Sequence, residues 1–129
     1  MKAEFTIVGR MPGANEYTKK NRSNYHAGAR MKRRETERAA WSAKAAHVPQ
    51  FHKPVVITIE WIEPNRKRDR DNIAFAKKFI FDGLKMAGII RDDGPDYVVD
   101  FHNKWGYDKE NPRIVVTITD EVEQDETQP

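Results

Sequence analysis

Apolar and polar residues alternate at the start of the chain, with Ala3, Phe5 and Ile7 on one side and Glu4, Thr6 and Val8 on the other, which predicts a half-buried strand over residues 2–8. A second alternation follows Pro54 in PVVITIEWI, where Val55, Ile57, Ile59 and Trp61 interleave with Val56, Thr58, Glu60 and Ile62. That much apolar content predicts a strand well covered on at least one face. Further strand patterns occupy Tyr97 to Trp105 and Arg113 to Thr119. Between the first two strands, residues 31–47 are rich in helix formers and lack glycine and proline, so a helix is expected there with Trp41 and the alanines facing the core. A second helix is predicted from Asn72 to about Ala87, stopped by Gly88. The segment from Gly9 to Arg30 carries Pro12, Gly13, Asn15, Asn21, Ser23, Asn24 and Gly28 without a sustained period and reads as a long loop. The predicted order is β, loop, α, β, α, β, β, without internal repeats, a Gly-rich phosphate loop or zinc-finger spacing.

A chain of 129 residues suits one domain, expected over 1–119 and followed by an acidic, disordered tail over 120–129. No apolar run reaches the ~20 residues of a membrane span, and MKAEFTIVGR is not a signal peptide, so a soluble cytoplasmic protein with no membrane partner is expected. Absence of cysteine excludes disulfides, thiolate zinc sites and cysteine nucleophiles, and leaves a metal to oxygen or imidazole ligands. The formal charge of +3 conceals an asymmetry: with the five acids of the tail set aside, residues 1–119 carry +8. The excess gathers between Arg10 and Arg34, where Arg10, Lys19, Lys20, Arg22, Arg30, Lys32, Arg33 and Arg34 face only Glu16. Either a polyanionic partner or an ordinary solvated surface accounts for it. Tyr17 and Tyr25 sit among these cations, in a combination suited to stacking on bases.

The chemistry concentrates in Arg66-Lys67-Arg68-Asp69-Arg70-Asp71-Asn72, where a strand ends and a helix begins. Capping of the helix accounts for one acid at most. Side chains two apart on an extended segment point the same way, so Asp69 and Asp71 can converge on one hard cation, with Asn72 nearby. At about 100° per residue, Ile73, Ala76, Ile80, Gly83, Leu84 and Ala87 form an inward stripe. Asp71, Lys78 and Asp82 fall within about 20° of one another on the other side, close to Lys85. An exposed Lys78–Asp82 ion pair is the ordinary explanation of that face. Phe75, Phe79 and Phe81 lie outside the stripe and suggest a second covering surface, such as another subunit. A lysine beside a carboxylate-bound ion can stabilise charge developing on phosphate oxygens. After the helix, Ala87-Gly88-Ile89-Ile90-Arg91-Asp92-Asp93-Gly94 delivers two more acids, either a plain aspartate-rich turn or the third carboxylate for one or two Mg²⁺ ions on a phosphodiester.

The run RDRDN, the K-x-x-x-D-G-L of Lys78, Asp82, Gly83 and Leu84, and AGIIRDD from Ala87 to Asp93 together resemble the RusA-like Holliday-junction resolvases, convincingly over roughly residues 55–119. The resemblance implies a homodimeric, Mg²⁺-dependent endonuclease of branched DNA, with Mn²⁺ as a substitute and no small-molecule cofactor. It further implies cleavage that leaves 5′-phosphate and 3′-hydroxyl ends, and an active site at Asp69, Asp71, Lys78 and Asp93. The interval from Asp71 to Lys78 is about three residues longer than in shorter members, nearly one turn, which favours Lys78 while keeping Lys77 as the weaker candidate. Gly94-Pro95-Asp96 replaces the short polar segment more usual after the acidic pair. His26, His47, His52 and His102 suit surface roles, and no nucleophile elbow supports a covalent hydrolase. The expected architecture is a single α/β (α+β) domain with about four strands in a mixed or antiparallel sheet and two main helices, dimeric near the catalytic helix. Arg10, Lys19, Lys20, Arg22, Arg66, Lys67, Arg68 and Arg70 are expected to hold the DNA backbone. The rival readings are a non-catalytic nucleic-acid-binding module and a branched-DNA nuclease of broader specificity.

Overall fold

A computed structural model describes residues 1–122 and resolves the alternating segments into four strands, β1 (Lys2–Val8), β2 (Val55–Glu63), β3 (Val98–Tyr107) and β4 (Arg113–Thr119). Four helical segments accompany them: α1 (Ala14–Ser23), α2 (Tyr25–Ala45), α3 (Arg70–Ala74) and α4 (Lys77–Met86). The sheet is mixed, in the order β1-β4-β2-β3. β4 runs antiparallel to both β1 and β2, whereas β2 and β3 are parallel and joined through α3 and α4, the crossover that a parallel pair requires. Together they make one small α+β domain.

Inward positions of the two inner strands and of the β1 edge carry the core: Val55, Ile57, Ile59 and Trp61 of β2 and Val116 and Ile118 of β4 are almost fully buried, with Phe5 and Ile7 of β1 beside them. The opposite sheet face presents Glu4, Thr58, Glu60 and Thr117 and stays polar, as in a two-layer fold with helices on one side. Against the apolar face lie α2 and α4. Close approach of these two helices depends on Gly83, because a Cβ there would stand 2.7 Å from the Ala39 methyl and 2.9 Å from the Thr36 carbonyl oxygen.

Three expectations change. The supposed loop over 9–30 contains α1 and the first turns of α2. Asn24 joins them, ending α1 and accepting a hydrogen bond from the His26 N–H to open α2. The helix expected over 72–87 is two pieces, because hydrogen bonds from Ala76 to Ile73 and from Phe79 to Ala76 tighten the chain at Phe75–Ala76. Trp41 is 67% exposed: the buried side of α2 is Met31, Glu35, Thr36, Ala39, Ala40 and Ala43, and Trp41 is turned away from it.

The phenylalanines outside the α4 stripe find partners within the same chain. Phe75 and Phe79 pack against Tyr17 of α1 at ring separations of 5.5 and 6.2 Å, and Phe81 meets Phe101 of β3 at 5.6 Å. Asp120 accepts a 2.7 Å hydrogen bond from the Met1 ammonium, fastening the end of β4 to the start of β1. The rest of the expected tail, 123–129, lies outside the described residues. Among the described residues no helix is long and apolar enough to cross a membrane.

Candidate active site

Where β2 ends, its inward parity runs Val55, Ile57, Ile59, Trp61, Glu63, so a carboxylate occupies a core position. A buried charge needs partners, and Glu63 has two. Arg68 donates to both of its oxygens at 3.0 Å, and Arg10 donates from Nη2 at 2.9 Å. Burial raises the Glu63 pKa, but hydrogen bonds and charge from Arg68 and then Arg10 outweigh it and hold the carboxyl below its ordinary range. Arg68 also donates to the Met11 carbonyl and to Glu16 of α1, at 3.0 and 3.2 Å. Arg38 of α2 donates to the Arg10 and Val8 carbonyls and pairs with Glu35. This network bolts α1 and α2 to the turn after β2.

That turn carries Asp69 and Asp71. Asp69 occupies the N-cap position of α3 with an extended backbone, yet its side chain makes no capping hydrogen bond. Asp71 lies in the first turn. Both are exposed, and among the described residues neither carboxylate has a hydrogen bond or ion pair. Capping therefore explains neither acid. Asn72 is committed elsewhere: its Oδ1 accepts from the Asn15 N–H at 2.9 Å. Gly13 permits this approach, since a Cβ there would stand 2.6 Å from that same oxygen. Beyond the break, Lys77 is half-buried with Nζ 4.4 Å from the Phe101 ring centre, whereas Lys78 is exposed with Nζ 5.8 Å from that of Phe75.

Asp93 stands apart from this pair. Its carboxylate meets Lys85 Nζ at 3.5 Å, and Lys85 also reaches Asp82 at 3.3 Å. Desolvation lowers the Lys85 pKa, but hydrogen bonding to Asp82 and the charge of Asp93 reverse this and leave it raised. Because β2 and β3 are parallel, Asp69 and Asp71 follow the end of β2, whereas Asp93 lies beyond α4 and precedes the start of β3. Among the described residues no three His, Asp or Glu side chains stand close enough to hold a metal together. By donor chemistry Asp69 and Asp71 suit a divalent ion: exposed hard oxygen ligands two residues apart, without a partner among the described residues. The helix that opens at Arg70, however, removes the extended segment on which both were expected to point the same way. A single chain does not add Asp93 to them.

Of the expected backbone-holding residues, Lys19, Lys20 and Arg22 lie exposed on α1, and Arg66, Lys67 and Arg70 lie exposed around Asp69. Arg68 differs. Its side chain is only 14% exposed and its guanidinium is taken up by Glu63 and Glu16, while Arg10 is partly committed to Glu63. Sequence reasoning missed Glu63, although the parity of β2 points to it. It also missed a row of rings along β3, where Tyr107, Trp105 and Phe101 lie under Arg66, Arg70 and Lys77 at 4.8, 5.2 and 4.4 Å. The alternation of these rings over 101–107 was the available signal.

A search of curated proteins gave no match. Residues 9–119 match the family described as Endodeoxyribonuclease RusA, a span that takes in all of the β2–α3 turn, α4 and Asp93. The chain belongs to the RusA endodeoxyribonuclease family.

Proposed function

We propose that this protein is a Mg²⁺-dependent endonuclease that resolves four-way DNA junctions as a homodimer. The observation that carries this reading is the pair Asp69 and Asp71: two residues apart, exposed, without partners among the described residues and flanked in the chain by exposed Arg66, Lys67 and Arg70, in a chain of an endodeoxyribonuclease family. Asp69 and Asp71 would hold the ion, with Asp93 as the third carboxylate. A bound Mg²⁺, or Mn²⁺ in its place, would supply activation of water and neutralisation of the leaving oxygen. Lys78, the exposed lysine of the first turn of α4, would stabilise charge on the phosphate, while Lys77 is drawn toward Phe101. Exposed cations of α1 and of residues 66–70 would grip the backbone, so binding weakens steeply with salt. Asp93 lies on a different part of the chain from the Asp69–Asp71 pair, and a two-fold partner offers a way to bring its carboxylate there. The same symmetry presents two sites to a junction.

The test is a labelled four-way junction and its matched linear duplex, each incubated with Mg²⁺, with Mn²⁺ and with chelator. Paired nicks confined to the junction and abolished by chelator are expected. Asp71→Asn should lower cleavage by at least about a hundredfold, on the scale of losing a central electrostatic contact, with junction binding kept or tightened. A wild type that binds junctions without cutting under any divalent metal would instead make it a binding module, and cutting of both substrates would make it a broader nuclease.

A further inference from the structure

Between α1, α2 and α4 lies a cleft of about 460 Å³. Its features are not those of a solvated helix face. One wall is Tyr17, fixed by its packing on Phe75 and Phe79, and two further large side chains lie open to solvent, Tyr25 at 75% and Met86 at 53% exposure. Lys32 and Arg33 of α2 contribute positive charge. Thr36 is only 6% exposed, yet its Oγ1 has no hydrogen-bond partner among the described residues. A desolvated hydroxyl without a partner is unfavourable unless something else completes it. The cleft therefore combines aromatic surface, an unmatched buried polar group and cations, and Asp82 lines it as well, the residue that shares Lys85 with Asp93.

We propose that this cleft binds an unpaired nucleobase of the DNA substrate. Tyr17 and Tyr25 offer ring surfaces for stacking, the Thr36 hydroxyl, now covered, turns into the cleft to meet a polar atom on the edge of the base, and Lys32 and Arg33 take the adjoining phosphates. The ring surfaces favour a base inside the cleft, while the two cations, which outnumber Asp82 in its lining, favour phosphates beside it. The proposal rests on the DNA-nuclease reading and adds to it a site that senses an unstacked nucleotide, such as a branch point supplies.

The test uses a four-way junction carrying 2-aminopurine at the branch point, titrated with the full-length protein in chelator so that no strand is cut. Junction affinity is measured in parallel on an end-labelled copy. Wild type should change the probe's fluorescence on binding. Tyr25→Ala should weaken affinity about fivefold or more, the loss expected of one base–aromatic stack, and suppress the fluorescence change. Thr36→Val keeps the shape and removes the hydroxyl: its thermal midpoint should be unchanged or raised, since an unpaired buried hydroxyl is removed, while the fluorescence change is reduced. That combination separates a ligand contact from a merely structural role. Junction binding with no fluorescence change, or with a change that both variants keep, overturns the cleft as a base site while leaving the nuclease reading intact. Failure of wild type to bind any DNA overturns both. Tyr25→Ala or Met86→Ala shifting the molecular mass in solution, with base sensing unaltered, overturns the proposal in favour of an interface between copies.

Discussion

Within nine residues the end of β2 and the turn after it carry acids of opposite fate. Glu63 faces inward, is 5% exposed and is saturated by Arg68 and Arg10, whereas Asp69 and Asp71 face outward without a described partner. Glu63 ends an apolar strand whereas Asp69 and Asp71 stand among arginines and a lysine, yet all three lie within reach of the same basic run, so nearby charge alone does not separate them. What separates them is whether the protein itself completes the charge. A completed carboxylate is part of the scaffold; one left open at a basic rim is available to something brought from outside. Asp93 is intermediate, exposed but already held by Lys85.

The contrast breaks most visibly at Glu63. Glu63→Ala leaves two arginines facing a vacancy and should cost about 3 kcal/mol, the scale of removing one partner of a buried ion pair, or roughly 10 °C in thermal midpoint. Asp71→Ala should shift it little. Equal losses would mean that Asp71 is scaffold too. Acid sharpens the same point. Because the folded Glu63 carboxyl titrates below its ordinary value of 4.5, its contribution is present above that pH and is lost as pH falls through the folded value. Asp108 and Asp120 are lowered in the same direction, Asp108 mainly by the Asn111 N–H and Asp120 by the N-terminal ammonium. Urea unfolding of wild type and Glu63→Gln from neutral to acid pH isolates Glu63, since the variant keeps the other two. The stability gap between the proteins should narrow on acidification, and a constant gap would remove the assignment.

Next in size is the choice between adjacent lysines. Lys78→Ala should lower cleavage on the order of a hundredfold with junction affinity nearly unchanged, while Lys77→Ala changes it a few-fold. The reverse order would place the catalytic ammonium over Phe101. Sequence alone ranked these two by counting turns along a continuous helix, a premise that the break at Phe75–Ala76 removes. Lys78 is still favoured, now by its exposure.

Legibility followed burial. Strand parities in β1, β2 and β4 were readable because one side of each meets the core, and the inward stripe of α4 was readable for the same reason. The helix α1 was not: none of its residues is fully buried, so no apolar period marks it, and it is held from outside its own sequence by Asn72, which accepts from the Asn15 N–H, and by Arg68, which donates to Glu16. Trp41 misled because a large aromatic was assumed to be inward, when alanines and a glycine bring α2 and α4 too close together to admit one. At the site, the D-x-D spacing was readable in the chain. The partition of neighbouring arginines into Arg68, which holds the scaffold, and Arg66 and Arg70, which remain exposed, depends on a partner on β2 and on helices folded over it.

Asp93 tests whether the middle case belongs with Glu63 or with the open pair. If Lys85 merely occupies Asp93 until a cation arrives, Lys85→Met should tighten Mg²⁺ binding a few-fold in calorimetry without DNA, as expected for an exposed pair of small net strength. Weaker binding would instead make Lys85 the group that positions Asp93, and would move Asp93 to the scaffold side.

The smallest effect concerns how the outward cations are aimed. Arg70 lies over Trp105 at 5.2 Å, one residue before Asp71 in the chain. An exposed cation–π contact of this kind is worth about 0.5 to 1 kcal/mol, so Trp105→Leu should weaken junction binding about threefold with every charge retained. Its dependence on salt should stay as steep as in wild type, because the number of phosphates neutralised is unchanged, whereas Arg70→Ala should lower that slope by about one unit. Trp105→Phe, which keeps a ring beneath the guanidinium, should restore most of the affinity. Should Leu and Phe behave alike, the ring does not aim Arg70, and Trp105 belongs with Glu63 among groups that serve the fold.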